Sequence, residues 1–224
     1  MQIKSKIILY SLLLIFTFTL KLAADEFEIS ASEITFDKEK NIVIGSGSVK
    51  VTDKQGKFIY ADKVIYEKSK EFLTVEGSVE VLDREGNILK TNKATYDKIN
   101  EIIFTYENSE LKIKEGYNLK GKNILYNLEK KILSSDKDSV LMDEEGNIIY
   151  ISMFQYYIEK NLFSSLGKIK IEDVKRNKYF FKELHVDTKN KEMIGSDVSV
   201  VLDQENFGVS KENVDYLTTK ADRM

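Results

Sequence analysis

Four consecutive segments of this chain follow one pattern at an interval of thirty residues: ASEITFDKEKNIVIGSGSVKVTDKQGKFIY at 31–60, ADKVIYEKSKEFLTVEGSVEVLDREGNILK at 61–90, TNKATYDKINEIIFTYENSELKIKEGYNLK at 91–120 and GKNILYNLEKKILSSDKDSVLMDEEGNIIY at 121–150. In each, an aliphatic residue or Ala (Ile34, Val64, Ala94, Ile124) is followed two places on by an aromatic (Phe36, Tyr66, Tyr96, Tyr126). Further along come a turn glycine (Gly56, Gly86, Gly116, Gly146) and, three residues past it, an aliphatic (Ile59, Leu89, Leu119, Ile149). A fixed period in this range marks an array in which each unit buries its apolar face on the next.

The unit reads as β structure. Apolar and polar residues alternate (Val64, Tyr66; Leu73, Val75; Val79, Val81), the two-residue period of a strand and not the 3.6 of a helix. Val, Ile, Tyr, Phe and Thr fill the pattern, and these fit a pleated, half-buried surface. Turns at EKSK (67–70) and DREGN (83–87) join two strands per unit, each roughly ten to twelve residues against the usual five or six. Near the middle of each strand sits a small residue, Gly77 in one and Ala61 or Thr91 in the other, where the alternation slips phase. Gly inside a strand commonly marks a bulge or bend. Every strand is therefore expected to fold over at its midpoint and contribute to two facing sheets.

Residues 1–24 read as a targeting segment. Lys4 and Lys6 precede an uncharged, mostly apolar run from Ile7 to Leu20, and Leu22-Ala23-Ala24 offers a cleavage site before Asp25. The run is short of the roughly twenty residues that a transmembrane helix needs, so a cleaved signal peptide and an exported mature chain are expected. Without Lys4, Lys6 and Lys21 the formal charge moves from -3 to -6. That sign is wrong for a groove tracking nucleic-acid phosphates, so nucleic acid is not expected as a partner. Hydrophobic content of 42% suffices for one β domain. Cys and Pro are both absent, so no disulfide staples the array and every position is free to pair in a ladder. The pattern continues more weakly through 151–182 (Phe154, Tyr156) and a partial unit at 183–204 (Leu184, Val186). The array is thus expected over 25–213, with 214–224 an irregular tail.

No enzyme signature emerges. The single His, His185, lies inside the strand YFFKELHV, where a surface or partly buried polar role is the ordinary one. With no second His and no Cys, a zinc site would need three carboxylates, and nothing calls for a metal or cofactor. Asp and Glu fall in hairpin turns (Asp37, Glu67, Asp97, Asp83, Glu85), as solvated turn residues do. GSGSV at 45–49 lacks the third glycine and following helix of a phosphate loop, and its companion EGSV at 76–79 marks it as a strand bend.

The aromatic column, Phe36, Tyr66, Tyr96, Tyr126 and Tyr156, would stack as a ladder along one sheet, which core packing alone explains. Sheets formed from the same bent strands, however, close at the bend and can stay open on the other side. The interior is then an apolar trough. Its candidate lining begins with Ile34, Phe36, Val43, Val64, Tyr66 and Leu73 and continues with Val79, Val81, Tyr96, Ile103 and Leu111. Ile113, Ile124, Tyr126, Leu133 and Ile171 complete it. At 4.8 Å per strand, some twelve strands make a trough of about 58 Å, suited to a long apolar ligand. The expected fold class is all-β, an open twisted β-jellyroll of about six antiparallel two-strand repeats.

The unit A-D-K-V-I-Y-x(6)-L-x-V-x-G-x-V-x-V, repeated in register behind a signal-like segment, resembles the OstA-like family of lipopolysaccharide-transport proteins. That family includes the bridge protein LptA and the N-terminal periplasmic domain of LptD, and the likeness covers most of residues 28–213. YFFKELHVDTKNKEMIGSDVSVVLDQENFGVSKEN looks most like the end of that LptD domain, which continues into a β-barrel. Here VDYLTTKADRM follows, and a truncated LptD-like protein, a fragment and a stand-alone LptA-like bridge all stay open. The lack of Cys departs from relatives that tie this domain to the barrel by disulfides. The resemblance implies a non-enzymatic periplasmic protein of a Gram-negative bacterium, associated with the outer membrane, holding lipopolysaccharide acyl chains in its groove. It implies edge-strand pairing with other jellyroll domains of the system, and an outer-membrane β-barrel and lipoprotein as further partners. A structural or adhesive β-solenoid with a dry core is the alternative from another class, and a polysaccharide-active enzyme a further one.

Overall fold

Period-two alternation dictates strands with two unlike faces, and antiparallel strands of that kind make up the computed structural model, which describes residues 27–54, 56–113, 116–207 and 218–221. The first are β1 (Phe27–Ser30), β2 (Glu33–Asp37), β3 (Ile42–Asp53), β4 (Phe58–Glu67), β5 (Phe72–Leu82), β6 (Ile88–Asp97) and β7 (Ile102–Lys112). Shorter strands follow: β8 (Asn118–Lys122), β9 (Leu125–Asn127), β10 (Ile132–Ser135), β11 (Ser139–Met142), β12 (Ile148–Ile151), β13 (Phe154–Tyr157) and β14 (Leu162–Ser165). The last are β15 (Ile169–Glu172), β16 (Lys178–Phe181), β17 (Glu183–Asp187), β18 (Glu192–Ser196), β19 (Val198–Val201) and β20 (Thr218–Ala221). The expected leader lies outside the described residues. Within the expected tail, 218–221 pair as a strand along β19.

The long strands bend where the small residues stand. β3 pairs with β4 from Ile42↔Glu67 to Ser46↔Lys63, skips, and resumes at Val49↔Ala61. The same skip recurs between Tyr60 and Lys63 and between Glu76 and Val79. Gly77 occupies such a corner with φ of 77°, in the left-handed region where a Cβ is penalised, and an added Cβ would meet the Asp62 side chain, whose own Cβ lies 2.8 Å away. Two repeats further on, the equivalent residue is Lys137. There the ladder lets go altogether, leaving two short strands, β10 and β11, where one bent strand was expected. Hydroxyls take up carbonyls freed at these corners. Ser135 Oγ donates to the carbonyl of Lys122 at 2.7 Å, and Ser165 Oγ to those of Met153 and Gly167 at 3.1 and 3.0 Å.

The halves on either side of the corner form two facing layers. The first holds β2, Ile42–Ser46, Lys63–Glu67, Phe72–Glu76, Lys93–Asp97, Ile102–Tyr106, β9, β10, β13, β14, β17 and β18. The second holds β1, the remaining halves of β3 to β7, β8, β11, β12, β15, β16, β19 and β20. Val49, Val51 and Ala61 of the second layer pack against Val64, Tyr66, Leu73 and Val75 of the first. Further along, Leu119, Ile151 and Ile169 meet Ile124, Phe154 and Leu184. Burying a side chain such as Leu73 or Leu184 contributes about 1.5–3 kcal/mol. The fold class expected from the repeats, all-β and jellyroll-like, is the one observed.

Two rows of turns run along the side away from the corners. In one, Asn41, Glu71, Glu101, Lys131, Asn161 and Lys191 recur every thirty residues with φ between 47° and 57°. The carbonyls of the first five accept from the next turn, as Lys68 N–H to Asn41 at 3.1 Å and Leu128 N–H to Glu101 at 2.8 Å. In the other row, Asp83, Asp143 and Asp173 each accept from the side-chain amide four residues on, at 2.8 Å. The amide oxygen of Asn147 then accepts from the backbone of Val174, and that of Asn177 from Asp203, tying turn to turn.

Candidate functional site

Two tiers of side chains face each other between the layers. The floor, next to the corners, holds Gly45, Val64, Val75, Ala94, Thr105 and Ile124 on one layer against Val49, Ala61, Val79, Thr91, Ser109 and Gly121 on the other, all buried. Its middle is polar but satisfied: Ser109 Oγ donates to Thr91 Oγ1 at 3.0 Å, and Thr105 Oγ1 accepts from Ile124 N–H at 3.1 Å. Small and hydroxyl-bearing residues here let the layers converge.

The upper tier is larger and more apolar. On the first layer, register places Phe36, Val43, Tyr66, Leu73, Tyr96, Ile103, Tyr126, Leu133, Tyr156, Phe163 and Val186 side by side. On the second, Ile29, Val51, Ile59, Val81, Leu89, Leu111, Leu119, Leu141, Ile149, Ile171, Tyr179 and Val200 form the matching row. Val51, Tyr66, Leu73 and Leu119 are buried, Phe36 is exposed, and the others keep part of their surface accessible. The floor is thus buried, while most of the upper tier keeps part of its surface accessible.

The sixteen candidate residues named from the sequence fall as follows. Phe36, Val43, Tyr66, Leu73, Tyr96, Ile103, Tyr126 and Leu133 share the first upper row, and Val81, Leu111 and Ile171 the second. Val64, Val79 and Ile124 lie on the floor. Ile34 shares the floor column but sits on the terminal strand at 52% exposure. Ile113 belongs to a turn, where its N–H donates to the Tyr117 carbonyl at 2.9 Å. The aromatic column does not stack ring on ring as expected. Its members sit on alternate strands with Val43, Leu73, Ile103 and Leu133 between them. The second upper row was under-represented among the sequence candidates, although Ile59, Leu89, Leu119 and Ile149 form a repeat column of their own.

The groove carries little charge. Burial pushes the Tyr126 phenol above its usual range, with the negative charge of Glu85 adding to it. Tyr117 is raised likewise by burial and by Glu144 and Asp143. Both therefore stay neutral near pH 7. Charges lie instead on the outer faces, in pairs such as Glu76–Lys93 at 2.7 Å and Glu80–Lys90 at 2.8 Å. A hollow of about 740 Å³ at the corners is lined by Glu80, Lys90, Asn108 and Glu110 together with the floor residues Val79 and Thr91. His185 is exposed, with Nδ1 3.0 Å from Ser164 Oγ.

At the ends of the first layer, β2 pairs only with β3 and β18 only with β17 among the described residues. Each presents an unpaired edge with large apolar side chains in the open, Phe36 at 48% and Met193 at 59%.

The fold defines an antiparallel all-β protein, one array folded at its corners into two facing layers. No protein-family model and no curated protein matches the chain. Among solved structures, it is similar to the crystal structure of LptH, the LptA homologous periplasmic component of the conserved lipopolysaccharide transport device from Pseudomonas aeruginosa. Identity is 12%, over 88% of this chain and 95% of that one, with a TM-score of 0.24, too loose a superposition to support anything about function.

Proposed function

We propose that the chain is a periplasmic, non-enzymatic component of lipopolysaccharide transport that shelters acyl chains in the groove between its two layers. The observation that carries this reading is the accessible upper tier of apolar residues over a buried floor. The in-register repeats that resemble the OstA-like family support the choice of lipid. An acyl chain in water costs about 0.8 kcal/mol per CH₂, so a chain of a dozen carbons faces roughly 10 kcal/mol. An uncharged cleft that takes up the chain while the sugar head stays outside removes most of that barrier without chemistry. The unpaired edges of β2 and β18 fit head-to-tail pairing with domains of like build, at an outer-membrane barrel or along a bridge.

A photoreactive residue placed at Leu111 or Leu133, on opposite upper rows, is expected to capture lipopolysaccharide on illumination. A ligand-free structural solenoid would give no lipid adduct at either position. In a polysaccharide-active enzyme, neutralising one particular acid would abolish turnover, whereas a conduit keeps its adducts after a turn change such as Asp97→Asn.

A further inference from the structure

We propose that Phe27 is a plug sealing the groove at its β1–β2 end, so that hydrocarbon is admitted only beyond it; this rests on the lipid-sheltering reading above and adds its regulation. Phe27 opens β1 on the second layer, opposite Asp53. Its ring nonetheless crosses the gap. It lies edge-on to Tyr66 with centroids 5.2 Å apart and to Tyr96 at 6.2 Å, both on the upper row of the first layer. Phe27 as a whole is 6% exposed.

Of the upper tier, Val51, Tyr66 and Leu73 are buried in the cluster that holds Phe27, while Tyr96, Val43, Ile59 and Val81 packed against it are partly accessible. In the cluster further along Leu119 is buried, and Leu133, Phe163 and Ile149 stay partly accessible. Along the lip, the position that Phe27 fills is held by Asn87, Asn147 and Asn177, whose side chains are engaged in turn hydrogen bonds with Asp83, Asp143 and Asp173, and by Tyr117 in the turn between them. Among the described residues β1 is a four-residue strand paired only with β3, so the plug can leave without dismantling the array. While seated, it disfavours hydrocarbon beneath it by roughly ten- to a hundredfold, the factor that burying one Phe is worth.

The chain contains no Trp, so a single introduced one reports on its surroundings. Tyr96→Trp places the reporter beside Phe27, and Phe163→Trp places it in the accessible part. Each full-length variant is titrated with 9,10-dibromostearic acid, which quenches Trp on contact. The expected result is strong quenching of Phe163→Trp and little of Tyr96→Trp. Adding Phe27→Ala then brings Tyr96→Trp quenching up to the level of Phe163→Trp, while Phe27→Leu, which keeps an apolar contact with shorter reach, falls between. Retained quenching of Phe163→Trp in the Phe27→Ala background certifies the fold, and the two reporters with Phe27 intact test the seal even if that variant misfolds. Equal quenching at both sites with Phe27 in place overturns the plug and leaves the lipid reading standing. Quenching at neither site overturns both.

Discussion

The row of Asp–Asn turns forms one lip of the groove, and Asn177 is the rung through which its last two turns are joined. Asn177 is 8% exposed. Its amide donates to Asp173 Oδ2 at 2.8 Å, and its Oδ1 accepts from Asp203 N–H and from Asn206 Nδ2, both at 2.9 Å. Asn177→Ala deletes all three while sparing the backbone bond to Asp173 Oδ1. A bond to a charged acceptor is worth about 1.5–3 kcal/mol and an ordinary one about 0.5–1.5, and Asn206 recovers part of its loss from water, which leaves a cost of about 3 kcal/mol. For a chain of this size that corresponds to a Tm lower by about 6–12 °C. Asn190→Ala is the control, since the exposed Asn190 side chain bonds only within its own turn, to Asp187 Oδ2 at 2.9 Å. Circular dichroism melts of the two variants, with hydrogen exchange at the Asp203 amide, provide the readout. If Asn177→Ala melts no lower than Asn190→Ala and the Asp203 amide stays protected, the turn-to-turn rungs do not hold the lip.

Three further outcomes follow from the same geometry. Gly77→Val forces a β-branched residue to φ near 77° against Asp62, and a loss of at least about 1–2 kcal/mol in denaturant titration is expected, with Gly77→Asn milder because Asn tolerates this region. Burial by itself would raise the Asp173 carboxyl, but hydrogen bonds from Asn177, Tyr179 and Lys175 outweigh it and hold the group below its ordinary 3.8. Its stabilising contribution is therefore complete above that value and lost as pH falls through the folded pKa, so Asp173→Asn should flatten the acid limb of a stability–pH curve without adding a neutral-pH dependence. Lys93→Met removes the exposed pair with Glu76 and is expected to move stability by less than about 1 kcal/mol.

Whatever the thirty-residue period touches was legible before any coordinates. Val64, Tyr66, Leu73 and Val79 could be placed on inward faces because alternation and repetition agree there, and Gly77 marked the corner because a glycine inside such a strand has few other uses. The left-handed column at Asn41, Glu71, Glu101, Lys131, Asn161 and Lys191 escaped notice since its work is done by backbone carbonyls, which place little demand on residue type. The corners at Ser135 and Ser165 were hidden for a related reason: a hydroxyl that replaces a lost ladder bond looks in the sequence like any polar strand residue. Phe27 was invisible because it precedes the first repeat and takes its meaning from Tyr66 and Tyr96, far along the chain.

These differences have a common physical origin that bears on the groove itself. A repeat specifies what each unit must do to its neighbours, and stacking is satisfied identically all along an array. How far apart the two layers stand is not a neighbour property. It depends on corner size, set by Gly77 in one unit and by Ser135 with Asp136 to Asp138 in another, and on what stands at the lip, Phe27 at one end and, further along, Ile113 with Tyr117 in one turn and Asp–Asn pairs in others. The same apolar columns therefore bury Tyr66 more deeply than Phe163, and only a departure from the period can convert one condition into the other. It follows that substitutions at non-repeating positions should move lipid occupancy along the groove while leaving overall stability nearly untouched, and substitutions in the repeated columns should do the reverse.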